Sequence, residues 1–125
     1  MNTKPVALII EDNEDQNLVF TNALMQAGYQ TESIQDGPTA MKWLSEVTPD
    51  MVILDLHIPG INGGLILREI RNDPRSQHAH VIIVSADAEF ASSLQAQVDL
   101  VLLKPVSFLQ LSMLASRFIN QIPEP

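Results

Sequence analysis

Four short runs of apolar residues, each of strand length, constrain the fold of this chain more than any other feature of its sequence. They cover residues 6–10, 51–54, 81–84 and 100–103, and each consists only of Val, Ile, Leu, Ala or Met. Strands that are apolar throughout are covered on both faces, as in a parallel sheet between two layers of helices. A fifth segment, 30–34, is mostly polar and suits an edge strand.

Between these runs lie five segments in which apolar residues recur at helical spacing. The fourth segment, 87–97, has the weakest pattern, and we expect it to be the most mobile helix. The residues expected to face the core are Val19, Phe20, Ala23, Leu24 and Ala27 in the first helix, Ala40, Met41, Leu44 and Val47 in the second, Ile66, Leu67 and Ile70 in the third, Phe90, Ala91, Leu94 and Val98 in the fourth, and Phe108, Leu111, Ala115, Phe118 and Ile122 in the last.

The alternation of strands and helices predicts an α/β fold, because parallel neighbours need crossover connections. We expect a doubly wound sheet of five parallel strands flanked by five helices, with the strand order 2-1-3-4-5. A length of 125 residues predicts one domain, 1–125, rather than two. In such folds the ligand site lies beyond the carboxyl ends of the strands, where the strand order switches.

Charge and composition exclude some classes of partner. Seven Lys and Arg against 15 Asp and Glu give a net charge of -8, so we expect no direct binding to nucleic acid. The apolar run near the start, 6–10, is too short for a signal-peptide core or a membrane span. The chain has no cysteine, which suits a reducing compartment. We therefore expect a cytoplasmic protein that does not bind the membrane.

Polar or charged residues follow directly on four of the predicted strands. They are Glu11 and Asp12 after the first, Asp55 after the third, Ser85 after the fourth and Lys104 after the fifth. Two carboxylates about 4 to 5 Å apart repel each other by roughly 3 to 4 kcal/mol at an effective dielectric near 20. Lys104 supplies one positive charge, and Mg²⁺, which prefers carboxylate, carbonyl and water oxygens, would supply the rest. Such a site suits phosphoryl transfer with Asp55 as the nucleophile.

Each of these residues also has a simpler structural interpretation. Glu11 and Asp12 could cap the first helix, with Asp15 completing a capping box. Asp55 could begin a turn, and Lys104 could be a solvated surface lysine. His57, His78 and His80 lack the spacing of a zinc site and are interpreted as solvated loop residues.

Taken together, four motifs resemble the receiver domains of two-component response regulators (CheY-like). They are Glu11-Asp12, the stretch 55–63, Ser85-Ala86 and Lys104-Pro105. The resemblance spans essentially the whole chain. It implies a phosphoprotein of phosphorelay signal transduction that is not itself an enzyme. Its partners would be a sensor histidine kinase or histidine phosphotransfer protein, and either a downstream protein or a missing output domain.

The resemblance also assigns roles to single residues. It implies that Asp55 is the phosphoacceptor, that Ser85 and Lys104 contact the phosphoryl oxygens, and that the Lys104–Pro105 peptide bond is cis. Positions 57 and 87 tune the lifetime of the phosphoryl group in the family. The implied Mg²⁺ ligands are Glu11, Asp12, Asp55 and the backbone carbonyl of His57.

Two positions depart from the family's pattern. Val101 stands where the family often has a Tyr or Phe that swings inward on activation, and Gly64 stands where relatives often have an apolar helix residue. These departures leave open a receiver-like interaction module that signals without phosphorylation. Leu65, Leu109 and Met113 are candidate exposed residues of a partner or homodimer face.

Two enzyme classes that share the fold are disfavoured. A haloacid-dehalogenase-like phosphatase needs a second Asp two residues after the nucleophile, where this chain has His57. A flavodoxin-like electron carrier needs a Ser- and Thr-rich phosphate loop after the first strand. This chain has the acidic stretch 11–15 there, which would repel a phosphate.

Overall fold

The computed structural model describes residues 3–121, in which strands and helices alternate along the chain. Two short 3₁₀ turns lie at Gln95–Gln97 and Ile119–Gln121. The strands are β1 Val6–Ile10, β2 Gln30–Ile34, β3 Met51–Leu54, β4 His80–Ser85 and β5 Leu100–Leu103. The helices are α1 Glu14–Gln26, α2 Gly37–Glu46, α3 Gly63–Asn72, α4 Ala88–Ser93 and α5 Phe108–Phe118.

The five strands form one parallel sheet in the order β2-β1-β3-β4-β5. Both the fold class and the strand order predicted from the sequence are confirmed. Strands β1, β3 and β4 are central, and nearly all of their residues are buried. β2 is an edge strand, as its polar sequence predicted.

The core lies in two layers, one on each face of the sheet, because successive side chains of a strand point to opposite faces. Leu8 and Ile10 pack against helices α2, α3 and α4, whereas Ala7 and Ile9 pack against α1 and α5. On the second side the hydroxyl of Tyr29 donates a buried hydrogen bond of 2.9 Å to the carbonyl oxygen of Ala115, which connects the start of β2 to α5.

Each helix begins at a residue whose side chain accepts a hydrogen bond from a backbone amide of the first turn. Four of the five caps are Asn or Asp, the residue types that satisfy the free amides of a helix start best. The capping residues are Asn13, Asp36, Asn62, Asp87 and Ser107. The first helix is therefore capped by Asn13, and Asp12, which precedes it, is left available for another role.

Some predictions for the helices are wrong. Val19, Val47 and Phe108 were expected to face the core but are exposed, at 38%, 36% and 40%. Val47 follows the end of α2 in an extended conformation and Phe108 is the first residue of α5, so helical spacing does not fix their direction, whereas Val19 lies within α1, where one residue position rotates a side chain by about 100°. The fourth helix is shorter than predicted and ends at Ser93. Ile122 lies outside the described residues.

The outward apolar residues were predicted correctly. Leu65, Leu109 and Met113 are about half exposed or more. Within residues 3–121, no helix has both the length and the apolar character that crossing a membrane requires.

Candidate functional site

The sheet brings the predicted polar residues to one edge. The backbone amide of Glu11 donates to Ile34, that of Asp55 donates to Ile10, and that of Lys104 donates to Ser85. These hydrogen bonds continue the strand ladders by one residue past β1, β3 and β5. The carboxyl ends of β1, β3 and β5 therefore fix where the side chains of Glu11, Asp55 and Lys104 begin.

Three carboxylates meet at this edge. Glu11, Asp12 and Asp55 each offer an oxygen within 4.8 Å of the other two. Glu11 is 1% exposed and Asp55 is 6% exposed, whereas Asp12 lies on the surface. Since buried carboxylates lose hydration and repel one another, this cluster needs compensating positive charge.

Lys104 supplies part of that charge. Its Nζ lies 2.7 Å from Oε1 of Glu11 and 3.3 Å from Oδ2 of Asp55. The peptide bond between Lys104 and Pro105 is cis, as the resemblance implied. Burial alone would lower the pKa of Lys104, but the carboxylates of Glu11 and Asp55 raise it above its usual value. The ammonium therefore stays charged.

Glu11 is the acid of the cluster whose ionised form is disfavoured by burial. Burial raises its pKa to about 7, against the opposing effects of Lys104 and of a hydrogen bond from the Asn13 amide to Oε2. Its Oε1 is buried, and the Lys104 ammonium approaches it at 2.7 Å but outside good hydrogen-bond geometry. A lysine shared between two acids does not satisfy this oxygen fully.

The donor set fits a hard divalent cation. Three carboxylates within reach of one point are the ligand chemistry of Mg²⁺, and a buried carboxylate oxygen without a hydrogen-bond donor is a group that a cation would satisfy. The exposed position of Asp12 leaves one side of the cluster open to solvent, which suits an ion that keeps several of its waters.

A second group of contacts borders the acids. The backbone amide of Asp87 donates to Oγ of Ser85 at 3.0 Å, and Nε2 of His57 lies 2.9 Å from Oδ2 of Asp87. The amide of His57 donates a long hydrogen bond, 3.4 Å, to Oδ1 of Asp55. Hydrogen bonds from the Phe90 amide and from His57 lower the pKa of Asp87.

Comparisons with known proteins agree on one family. The sequence profile of the response regulator receiver domain matches residues 7–115. Regulator of RpoS from Escherichia coli K12 is 35% identical over 102 residues, 79% of this chain and 30% of that protein. DivK, a polar-differentiation response regulator of Brucella ovis, is 31% identical over 86 residues, 69% of each chain. This chain belongs to the response regulator receiver domain family.

One receiver domain of similar structure has been solved with a bound metal ion. The receiver domain of sensor histidine kinase PA1611 from Pseudomonas aeruginosa, solved with a magnesium ion in its active site cleft, is 26% identical. Its TM-score is 0.82 over 94% of this chain and 99% of that one. The present receiver domain spans only 17% of PleD from Caulobacter vibrioides and 30% of Regulator of RpoS.

The loop after the predicted acceptor of this receiver domain depends on two glycines. Gly60 has φ +87°, a left-handed conformation that favours glycine. At Gly63 a Cβ atom would lie 2.7 Å from Cα of Leu56 and 2.9 Å from the carbonyl oxygen of Asp55. The start of α3 can therefore lie directly on the peptide that follows Asp55 only because residue 63 has no side chain.

The structure corrects three predictions around the site. Ser85 is the last residue of β4 rather than the residue after it. His80 is not a solvated loop residue, because it begins β4, its side chain is 16% exposed and its Nδ1 lies 3.2 Å from Oδ1 of Asp99. His57 is exposed as predicted but is paired with Asp87, while His78 is exposed.

Sequence reasoning missed Asn17, a buried residue that supports the site. Its side-chain amide donates to the carbonyl oxygens of Glu11 and Ile34, at 2.9 and 3.0 Å. These two bonds attach α1 to the end of β1, where the acidic residues begin. The available signal was a polar residue three positions before Phe20 on the inward face of the helix.

Proposed function

We propose that this receiver domain accepts a phosphoryl group on Asp55 in a Mg²⁺-dependent reaction and signals by a change of shape. The observation that carries the proposal is the cluster of three carboxylates at the carboxyl ends of β1 and β3, two of which share the single ammonium of Lys104. Such an arrangement is costly for the folded chain unless it binds a cation. On this proposal residues 1–125 act as one switch domain in the cytoplasm rather than as an enzyme with turnover.

Three residues of this chain would take part directly in phosphoryl transfer. A carboxylate oxygen of Asp55 attacks phosphorus, a new P–O bond forms and the P–N bond of a phosphohistidine breaks. The electron pair of that bond returns to the imidazole of the donor, which keeps a proton on its other nitrogen. The ammonium of Lys104 and the hydroxyl of Ser85 hold phosphoryl oxygens as negative charge develops on them.

Mg²⁺ would supply charge neutralisation for the carboxylates and the phosphoryl oxygens. Glu11, Asp12 and Asp55 would hold it through their carboxylates, and His57 through its backbone carbonyl. Its removal should therefore stop phosphorylation.

We propose a sensor histidine kinase or a histidine phosphotransfer protein as the phosphoryl donor. A groove of about 460 Å³ opens between α1 and the segment that follows β5, beside Lys104. Its walls include apolar Val19, Phe20 and Val106, with Asp15 at the edge. A donor helix docked there would bring its phosphohistidine toward Asp55. The response would pass to a downstream protein or an output domain.

The test is covalent labelling. Incubation with acetyl phosphate and Mg²⁺, followed by intact mass spectrometry, should add one phosphoryl group to the wild-type chain. Asp55→Asn should reduce the adduct to background, because an amide oxygen cannot form the acyl phosphate, and EDTA should do the same. The matched control is Asp99→Asn, a change of the same kind at the opposite end of the sheet, which should keep the adduct.

Two results would overturn the proposal. One is the absence of an adduct with both acetyl phosphate and a cognate kinase, and the other is an adduct that persists in Asp55→Asn. The competing interpretation, a module that signals without phosphorylation, predicts partner binding that is the same in the wild type and in Asp55→Asn and is indifferent to beryllofluoride.

A further inference from the structure

Helix α4 is attached to the rest of the domain by few contacts. It has six residues, and Ala91 is the only one that is fully buried. Elements with little buried apolar surface are the ones that shift at low cost in free energy. What holds the start of α4 in place therefore decides where the helix lies.

Asp87, the capping residue of α4, connects the helix to the acidic site. Its Oδ1 accepts a hydrogen bond from the Phe90 amide at 2.9 Å, and its Oδ2 lies 2.9 Å from Nε2 of His57. Its backbone amide donates to Oγ of Ser85. A single residue thus contacts the Ser85 hydroxyl at the end of β4, the loop after β3 and the first turn of α4.

Phe90 forms the second connection. Its ring is tilted by 59° against the His57 ring, with 5.8 Å between the ring centres. On its other side the ring lies over Gly64, where a Cβ atom would be only 3.3 Å from Cζ. Phe90 therefore occupies space that a side chain at position 64 would otherwise fill, and it contacts both the β3–α3 loop and α3.

The β5 strand has no aromatic ring that could make such a contact, since its residues, Leu100, Val101, Leu102 and Leu103, are all aliphatic. We propose that Phe90, seated on Gly64 and against His57, is the side chain that transmits the state of Asp55 to α4. The inference rests on the proposed function, because it requires that Asp55 takes up a phosphoryl group. It assigns to Gly64 and Phe90 a role that neither residue has in the transfer chemistry.

The transmission follows from charge. A phosphoryl group on Asp55 adds about two negative charges to the site, where His57 contacts Asp55 through its amide and the Asp87 carboxylate through its ring, and it would engage the hydroxyl of Ser85, to which the Asp87 amide is bonded. Repulsion and the altered Ser85 contact both displace Asp87, and His57 and Phe90 follow because each is bonded to it. The Phe90 ring then leaves its place over Gly64, and α4 shifts with it. This is a two-position element biased by a local charge.

Amide hydrogen exchange of α4, measured by NMR with Mg²⁺ alone and with Mg²⁺ plus beryllofluoride, tests the inference. In the wild type the exchange rates of α4 amides should change by about ten-fold on adding beryllofluoride. In Phe90→Leu, which keeps an apolar side chain but removes the ring, the change should fall by about three-fold or more. The site should still bind beryllofluoride, seen as amide shifts near Asp55.

The chain offers a matched control for the loss of a ring. Phe118 is tilted against His80 at 4.9 Å between ring centres, far from the acids, so Phe118→Leu should leave the α4 response at its wild-type size. Gly64→Ala should also weaken the response, because its methyl group displaces the Phe90 ring. In a Phe90→Leu background, Gly64→Ala should add nothing further.

The outcomes separate the two proposals. An α4 response of equal size in the wild type and Phe90→Leu overturns the transmission role, and so does a wild type whose site amides shift while α4 exchange stays constant. Both leave the proposed function standing. If beryllofluoride shifts no amide near Asp55 in the wild type, the proposed function fails, and the transmission role fails with it.

Discussion

The acidic side chains at the two ends of the sheet differ in how completely they are paired. At the amino ends of the strands the partly exposed acid Asp99 has several partners. Asp99 accepts from the Val81 amide at 2.7 Å and contacts both Arg71 and His80. At the carboxyl ends three acids cluster, two of them, Glu11 and Asp55, share the ammonium of Lys104, and the buried Oε1 of Glu11 meets that ammonium outside good hydrogen-bond geometry.

This difference separates stability from function. Charges with complete sets of partners hold the folded state together, and their loss costs free energy of unfolding. Incompletely satisfied charges weaken the folded state until a ligand completes them. Substitutions at the two ends should therefore have opposite effects on stability, and only one end should affect binding.

The largest effect is expected at the amino end. Asp99→Ala removes the acceptor of the Val81 amide and leaves Arg71 and His80 without their carboxylate, so the free energy of unfolding should fall by about 3 kcal/mol. Urea denaturation would measure it. Asp99→Asn keeps an oxygen acceptor and should cost about half as much. If Asp99→Ala were as stable as the wild type, the paired charges at the amino ends of the strands would not stabilise the folded state as described.

Replacing Glu11 should raise the free energy of unfolding rather than lower it, and the size of this effect should depend on pH. Its pKa is about 7 in the folded chain against an ordinary value of 4.5, so the folded state holds the proton more tightly between these values. The free energy of unfolding should therefore fall as the pH rises from 4.5 to 7, by on the order of 2 to 3 kcal/mol.

Denaturation of the wild type and Glu11→Gln in EDTA checks this dependence. The difference between the two should grow in favour of Glu11→Gln from pH 5 to pH 8, because Gln does not ionise. A difference that is constant with pH would mean that Lys104 satisfies Glu11 fully, and the contrast between the two ends would then be weaker than described.

The smallest predicted effect is at Asp12, the exposed acid of the cluster. Asp12→Asn should weaken Mg²⁺ binding about ten-fold, equivalent to about 1.4 kcal/mol, with little change in stability. Isothermal titration with Mg²⁺ would measure the change. Asp15→Asn, an acid in the first turn of α1, is the control and should bind Mg²⁺ as the wild type does. Equal affinity in Asp12→Asn would remove that residue from the metal site.

Much of the fold was predictable because its signals are local. The apolar runs gave β1, β3, β4 and β5 to within a residue or two, and the residues that follow them led to the candidate site. A continuous apolar run between polar residues has few alternative structures in a chain of this length.

What the sequence did not predict depends on partners distant along the chain. Asp99 meets Arg71, and His57 meets Asp87, across 28 and 30 residues, and no local pattern marks either pair. Asn17 was missed for the same reason, since it acts on the carbonyl oxygens at the ends of two other strands. Val19 was misplaced because periodicity gives the direction of a side chain only within tens of degrees.

The hydrogen bond from Tyr29 to Ala115 has a further consequence for signalling. It joins the segment after α1 to α5, and these two helices pack on the same face of the sheet. The α1 and α5 helices are thus tied together on that face, whereas α4 lies on the other face. A phosphate donor docked beside α1 would meet the same surface before and after transfer, so input and output need not compete for one patch of the molecule.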